Sequence, residues 1–325
     1  MTMARQISLP LGGLTALATL FGMAVANAQT YPTRPIGVIV PFAGGSASDV
    51  VTRILLDRTA KSIGQPFIIE NRPGAGGNTG TMAGARATPD GYTLVATGSG
   101  PAAANKTLYR DLGYDPLKDF EPVALVAVFP IVVVASAKLP VKTLSAMIAY
   151  ARERPNQLNY GSVGIGSSQH LAGAYFEQLA GIKITHVPYR NIAQYAPDLI
   201  SGAVPLGFQW LPNVLATLNS GGANALAVAS KTRMAALPAV PTTAEAGIAG
   251  YDVSGWFVML APRGTPARAG HRLRSAAAGA AACAAGEAHH GARHFLDLAD
   301  RAPARHRGAD RRRGCAHLLR DRIRH

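Results

Sequence analysis

Ile36-Gly-Val-Ile-Val-Pro-Phe-Ala-Gly-Gly-Ser-Ala-Ser-Asp49 reads as a strand, a glycine-rich loop and the start of a helix. The apolar run Ile36–Val40 has the length of a buried strand, and Pro41 stops it. Gly44-Gly45 let the chain turn tightly. Ser46-x-x-Asp49 is a capping box, and it opens a helix expected to carry Val50, Val51, Ile54 and Leu55 on one face. A loop of this kind aims free backbone N–H groups and the positive end of a helix dipole at one point, where an anion is stabilised. A second such loop, Tyr160-Gly-Ser-Val-Gly-Ile-Gly-Ser-Ser-Gln-His170, follows about a domain's length later. Two loops facing each other predict a cleft that grips a carboxylate.

Working outward, the same alternation fills the chain from Tyr31 to about Ala261. Strands are expected at Pro66–Glu70, Tyr92–Ala96, Val123–Val128, Ile131–Ala135, Leu158–Gly161, Lys183–Val187, Val204–Phe208 and Ala225–Ala229. Helices fall between them, among them Thr143–Arg154 and Ser168–Ala180. Such alternation predicts an α/β protein with two Rossmann-like parallel sheets covered by helices, and a ligand cleft between them. The two-domain division expected is 29–129 plus about 250–266 for domain 1, and 130–249 for domain 2.

At 325 residues the chain has the length of about two domains. Residues 1–28 read as a signal peptide: Arg5, an apolar stretch Leu9–Val25, and the small-residue site Ala26-Asn27-Ala28. The alternative is a membrane anchor, but a span needs about 20 strongly apolar residues and this stretch is short and broken by glycine. Export with cleavage after Ala28 would place the mature chain in the periplasm. A monomer is expected there.

The net charge of +14 is unevenly spread. Residues 267–325 hold 13 Arg against five acidic residues, a net +8, and Arg5 adds one, leaving +5 for residues 29–266. That does not make a phosphate-tracking surface, so no nucleic acid is expected as a partner. Both cysteines, Cys283 and Cys315, lie in the tail, so no disulfide can hold residues 29–266 together. The tail also has no Lys or Val and only seven large apolar side chains. Nothing in it shows a helical or strand period, and few apolar groups cannot offset the entropy of ordering it. Two readings stand: a natural disordered basic tail, or a frameshift near codon 266, since out-of-frame GC-rich DNA yields Ala, Arg, Gly, Pro and His.

Enzyme signatures are sparse. The sequence has no G-x-S-x-G elbow, H-E-x-x-H or C-x-x-C motif. Gly74-Ala-Gly-Gly-Asn-Thr-Gly80 fails the spacing of a dinucleotide fingerprint and reads as a structural turn, so no cofactor is expected. His170 and His186 lack partners at metal-ligand spacing, and no metal site is expected. His290-x-x-x-His294 and Arg311-Arg-Arg313 occur in a composition that produces such groupings by accident. What remains is binding by loops. Phe42, Ala43, Gly44, Gly45, Ser46 and Ser48 form the first set of candidate ligand contacts. Ser162, Gly166, Ser167, Ser168 and His170 form the second, and Thr97 and Ser99 close the strand Tyr92–Ala96 as a third. The alternative for each serine is a helix cap.

Tyr31-Pro-Thr-Arg-Pro35, Val40–Asp49, Glu70-Asn-Arg-Pro-Gly-Ala-Gly-Gly-Asn78, Pro89-Asp-Gly-Tyr92 and Asp115–Phe120 resemble the Bug-type receptors of tripartite tricarboxylate transporters. So do Leu158–Ser162, His186-Val-Pro-Tyr189, Leu237–Thr242, Glu245-Ala-Gly247, Trp256 and Ala261–Pro266. The resemblance covers residues 31–266. It implies a hinged, two-domain periplasmic receptor that closes on a small carboxylate and delivers it to the permease subunits of a membrane transporter. It implies ligand contacts from Phe42 to Ser48 and from Ser162 to His170. The chain departs from the family pattern in three places. Gln209 stands where an Asp is common, which points away from amino-acid ligands. Arg190-Asn-Ile-Ala-Gln194 replaces a glycine-containing loop. The tail does not resemble the family's closing helices, whose loss would expose an apolar face and impair folding. Other readings are an exported α/β serine hydrolase or transferase using Ser46 or Ser168, and a non-functional receptor remnant.

Overall fold

The computed structural model describes residues 31–285, with side chains through residue 280. The segment expected to be a signal peptide, the His290/His294 pair, the Arg311–Arg313 run, Cys315 and the remainder of the tail from residue 286 lie outside the described residues.

The first sheet has the order β2-β1-β3-β10-β4: β1 (Ile36–Val40), β2 (Phe67–Asn71), β3 (Thr93–Gly98), β4 (Phe120–Pro130) and β10 (Ser254–Pro262). The second has the order β7-β6-β8-β5-β9: β5 (Val132–Ser136), β6 (Asn159–Ser162), β7 (Thr185–Pro188), β8 (Leu206–Gln209) and β9 (Ala223–Val228). Helices α1 (Ala47–Ile63), α2 (Asn78–Ala85), α3 (Asn105–Leu108) and α8 (Ala267–Ala285) accompany the first. Helices α4 (Leu144–Glu153), α5 (Ser168–Ala180), α6 (Tyr195–Ser201) and α7 (Leu211–Asn219) accompany the second.

β1 is apolar on both faces because both are covered. Ile36, Val38 and Val40 pack with Leu56, Ile63 and Leu273, whereas Ile39 packs with Val95, Tyr114 and Val258 on the other side. Each such side chain contributes about 1.5–3 kcal/mol by leaving water.

The sheets are mixed, where the sequence pattern predicts parallel ones. β10 runs antiparallel to β3 and β4, and β5 runs antiparallel to β8 and β9. The reason is the way the chain crosses between sheets. β4 and β5 are separated only by Ile131, so the chain passes from one sheet to the other without a helix to reverse it. It returns through Val253 into β10. The two crossings are tied together: Ile131 N–H donates to the Val253 carbonyl at 3.0 Å, and Ala229 N–H donates to the Ile131 carbonyl at 2.7 Å.

Two further expectations need correction. In α1 the buried positions beyond its first turn are Thr52, Leu55, Leu56, Thr59 and Ile63, while Val50 and Ile54 are 42 % and 53 % exposed. The helix stripe is therefore rotated from the one its branched residues suggest. The stretch from residue 267 is a regular helix through Ala285, packed on α1 and β4. Its buried positions are Ala269, Leu273, Ala276, Ala277 and Ala280, a helical period written in alanine instead of large apolar residues. This helix covers the face that a missing closing segment would have exposed.

Candidate functional site

A cavity lies between the carboxyl ends of β1 and β6, where each chain end turns into a helix. From the first sheet's side it is lined by Pro41, Phe42, Ala43, Ser46, Ser48 and the Pro73–Gly77 loop. From the second it is lined by Val163, Gln169, Arg190, Ile192, Trp210 and Asn213. Its volume is about 10 Å³, close to the room one water needs, so the two sheets stand closed on each other.

The first wall is built by the cap of α1. Ser46 Oγ accepts from the Asp49 N–H at 3.5 Å and lies 2.9 Å from Ser48 Oγ. The Asp49 carboxylate reaches back to the Gly45 N–H at 2.9 Å, and Gly45 adopts a φ of +77° that a side chain would strain. Asp49 also accepts from Arg53 Nε and Asn71 Nδ2, both at 3.0 Å. Burial raises its affinity for a proton, but the bonds from Arg53, Gly45 and Asn71 outweigh this and hold its carboxyl below the usual range. Asn71 Nδ2 donates as well to the Phe42 carbonyl at 3.0 Å, which pins the loop.

The second wall is built by the cap of α5. Ser167 Oγ accepts from the His170 N–H at 3.3 Å, and His170 Nδ1 accepts from the Gly166 N–H at 3.3 Å. Ser162 Oγ lies 2.5 Å from His186 Nε2 and accepts from the Gly164 N–H at 3.0 Å. The two imidazole rings are 4.4 Å apart. Burial, reinforced by repulsion from a charged His170, lowers the His186 pKa to about 4. Burial also lowers that of His170, with Glu177 pulling the other way.

Gln169 is 1 % exposed, and neither its Oε1 nor its Nε2 has a partner among the described residues. Orphaned buried amide groups are costly, so both are available to a bound molecule. No carboxylate lines the cavity, and Arg190 is the one charged residue that does.

Other contacts bridge the cleft beside the cavity. Ala47 N–H, at the first turn of α1, donates to Asn213 Oδ1 at 3.1 Å. Ser99 Oγ lies 2.7 Å from Ser168 Oγ, and Tyr109 Oη donates to the Ile165 carbonyl at 2.9 Å. The Gly74–Gly77 segment, read from the sequence as a structural turn, both lines the cavity and abuts the second domain's loop. A β-carbon on Gly76 would lie 2.2 Å from the Ile165 carbonyl oxygen.

Of the sequence-predicted contacts, Phe42, Ala43, Ser46 and Ser48 lie on the cavity wall. Gly44 and Gly45 shape the turn behind it. Ser99, Gly166 and Ser168 sit in the bridging contacts instead, while Ser162, Ser167 and His170 brace the loop from within. Thr97 is fully buried, with its hydroxyl 2.8 Å from Thr81 Oγ1. Gln209 is fully buried too: its Nε2 donates to the Gly161 carbonyl at 2.8 Å, and its Oε1 accepts from Asn213 Nδ2 at 3.3 Å. It therefore positions Asn213, which lines the cavity. Arg190 and Ile192 belong to the loop that departs from the family pattern, and both line the cavity; Gln169, Trp210 and Asn213 were missed as contacts, the departure at Gln209 being the nearest signal.

The candidate nucleophiles are paired with hydroxyls and not with bases: Ser46 with Ser48, and Ser168 with Ser99. Among the described residues, no group of three or more His, Cys, Asp or Glu could hold a metal ion, and no helix is long and apolar enough to cross a membrane.

Residues 51–289 match the model of the tripartite tricarboxylate transporter family receptor, 23 residues past Pro266 where the motif resemblance ends. The chain is 39 % identical to protein BugT of Bordetella pertussis over 250 residues, covering 77 % of each. Among solved structures, it resembles R. palustris Rpa4515 with adipate, at 38 % identity and a TM-score of 0.73, covering 76 % of this chain and 83 % of that one. It equally resembles MatC from Rhodopseudomonas palustris with bound malate, at 35 % identity and a TM-score of 0.73, covering 77 % and 85 %. The match spans the second sheet, the loop ahead of α5 and most of the first sheet, and the chain belongs to the receptor family of the tripartite tricarboxylate transporters.

Proposed function

We propose that this receptor captures a small carboxylate between its two sheets and delivers it to the permease subunits of a tripartite transporter, acting as an exported periplasmic monomer without covalent chemistry. One observation carries the reading: two capped helix starts, α1 and α5, wall one cavity that has no acidic lining residue and holds an unpartnered buried amide, Gln169. Relatives solved with adipate and malate support the ligand class. The domain division proposed takes 29–129 with about 250–266 as one unit and 130–249 as the other, with α8 packed on the first. The ligand contacts proposed are Phe42, Ala43, Ser46 and Ser48 from the first, and Gln169, Arg190 and Asn213 from the second.

Isothermal titration of the mature chain with a panel of small mono-, di- and tricarboxylates tests this. At least one should bind, and Ser48→Ala should weaken it about tenfold, the effect of losing one charge-assisted hydrogen bond. Binding of no carboxylate would leave the non-functional remnant, and ester hydrolysis abolished by Ser46→Ala or Ser168→Ala would replace this reading with the enzyme.

A further inference from the structure

We propose that the groove between α1 and α8 is a contact surface for anionic phospholipid, by which this receptor rests on a membrane. The groove has a volume of about 410 Å³, and Tyr31, Ser62, Arg268, His271, Arg272 and Ser275 line it. Arg268, His271 and Arg272 are all exposed, and no acidic side chain lines the groove. A solvated guanidinium needs no counterion, so what counts here is the crowding of like charge. Helices favour acidic residues in their first turn, yet α8 has none there and carries Arg268, Arg272 and Arg274 within its first eight residues. No ion pair among the described residues involves any of the three. Ser62 and Ile63 close α1 beside them, and the negative end of that helix offsets part of the repulsion.

The excess runs on along the chain, with 13 Arg against five acidic residues from residue 267 to residue 325. These arginines keep no fixed spacing, which suits an extended anionic surface better than the fixed register of a folded protein partner. A receptor that serves a membrane transporter works beside such a surface. In the groove, the hydroxyls of Ser62 and Ser275 add donors for a headgroup phosphate to those of the two guanidiniums. The groove is separate from the ligand cavity. Ser48 lines the cavity and Ser62 the groove, 14 residues apart on α1, which at about 1.5 Å per residue is about 21 Å. That exceeds the Debye length of about 8–10 Å, so lipid contact leaves the electrostatics of the cleft unchanged.

The test is co-sedimentation of the full mature chain with vesicles of phosphatidylcholine alone and of equal parts phosphatidylcholine and phosphatidylglycerol. The wild type should bind the anionic vesicles only, and raising salt from about 0.05 to about 0.5 M should release it. Each arginine near such a surface adds about fivefold in affinity, so Arg268→Gln with Arg272→Gln should weaken binding about 10- to 30-fold. Both positions are exposed, so the melting temperature and any carboxylate affinity should stay those of the wild type. Arg268→Lys with Arg272→Lys keeps the charge and should bind nearly as well as the wild type. Equal binding to both vesicles, or none to the anionic ones, overturns the proposal. Undiminished binding by the glutamine variant places the contact elsewhere in the chain and overturns it too. Capture by immobilised polyglutamate with no binding to vesicles would assign the groove to an acidic protein instead. None of these results touches the carboxylate reading of the cleft.

Discussion

Gly100 faces the carbonyl of Gly166 across the cleft so closely that a β-carbon on Gly100 would lie 1.9 Å from that oxygen. Gly76 stands in the same relation to Ile165, at 2.2 Å, and both contacts join the first domain to the loop ahead of α5. Backbone meets backbone here, so neither side can yield by rotating a side chain. Closure therefore depends on glycine at positions outside the cavity wall.

Gly100→Val should hold the domains apart. Its backbone is not in the left-handed region, so the strain of the substitution falls on the contact across the cleft and not on the local turn. Ligand affinity should fall at least about tenfold, because the closed state carries the second set of contacts. Small-angle scattering with saturating ligand should show the compaction of the wild type missing from the variant. Equal compaction in both would show that the contact does not gate closure.

Leu273 is fully buried against the first domain's core and is the single large apolar side chain of α8 whose burial is described. Leu273→Ala should cost about 2–5 kcal/mol, the range for a core leucine truncation. Urea unfolding followed by circular dichroism measures it. A cost below about 0.5 kcal/mol would mean that α8 does not seal the core.

What the sequence made legible, and what it hid, follows from the range of the interactions. The caps of α1 and α5 are local: Ser46 with Asp49, and Ser167 with His170, lie three residues apart and could be read directly. The stripe of α8 was hidden because Ala269, Ala276, Ala277 and Ala280 carry no hydropathy contrast with the alanines around them. β10 was hidden because the direction of an apolar run is not encoded in its pattern, and only the return crossing at Val253 sets it. Among the site residues, the serines that looked like ligand contacts are mostly committed to other protein atoms. Ser168 faces Ser99, 69 residues away, and that pairing exists only when the domains meet. Gln169 stood next to two expected contacts, yet its lack of a partner is visible only once every neighbour is in place.

The His170–His186 pair predicts acid sensitivity. The His186 pKa falls from the ordinary 6.5 to about 4 in the folded state, so the unfolded chain binds more protons between those values. Stability should be full above about pH 6.5 and decline as pH falls toward 4. The charged groups bearing on the pair are His170 itself, which adds repulsion, and Glu177, which favours protonated His170. Denaturation midpoints from pH 7 to 4 should fall less steeply in His186→Gln, which retains a hydrogen-bonding group for Ser162. Identical slopes would place the acid sensitivity elsewhere.

Gln169 predicts a division between stability and binding. In the closed structure its amide is buried and neither polar atom has a partner among the described residues, a state that costs about 1–3 kcal/mol per group. Gln169→Leu removes those groups while keeping similar volume, so the variant without added ligand should be at least as stable as the wild type. If the amide is retained for the ligand, the same change should weaken binding about tenfold or more and abolish the rise in melting temperature that ligand gives the wild type. Thermal melts with and without ligand read both quantities in one experiment. A variant that is less stable but binds normally would make Gln169 a structural residue, and the cavity would then recognise its ligand through the serines and Arg190 alone.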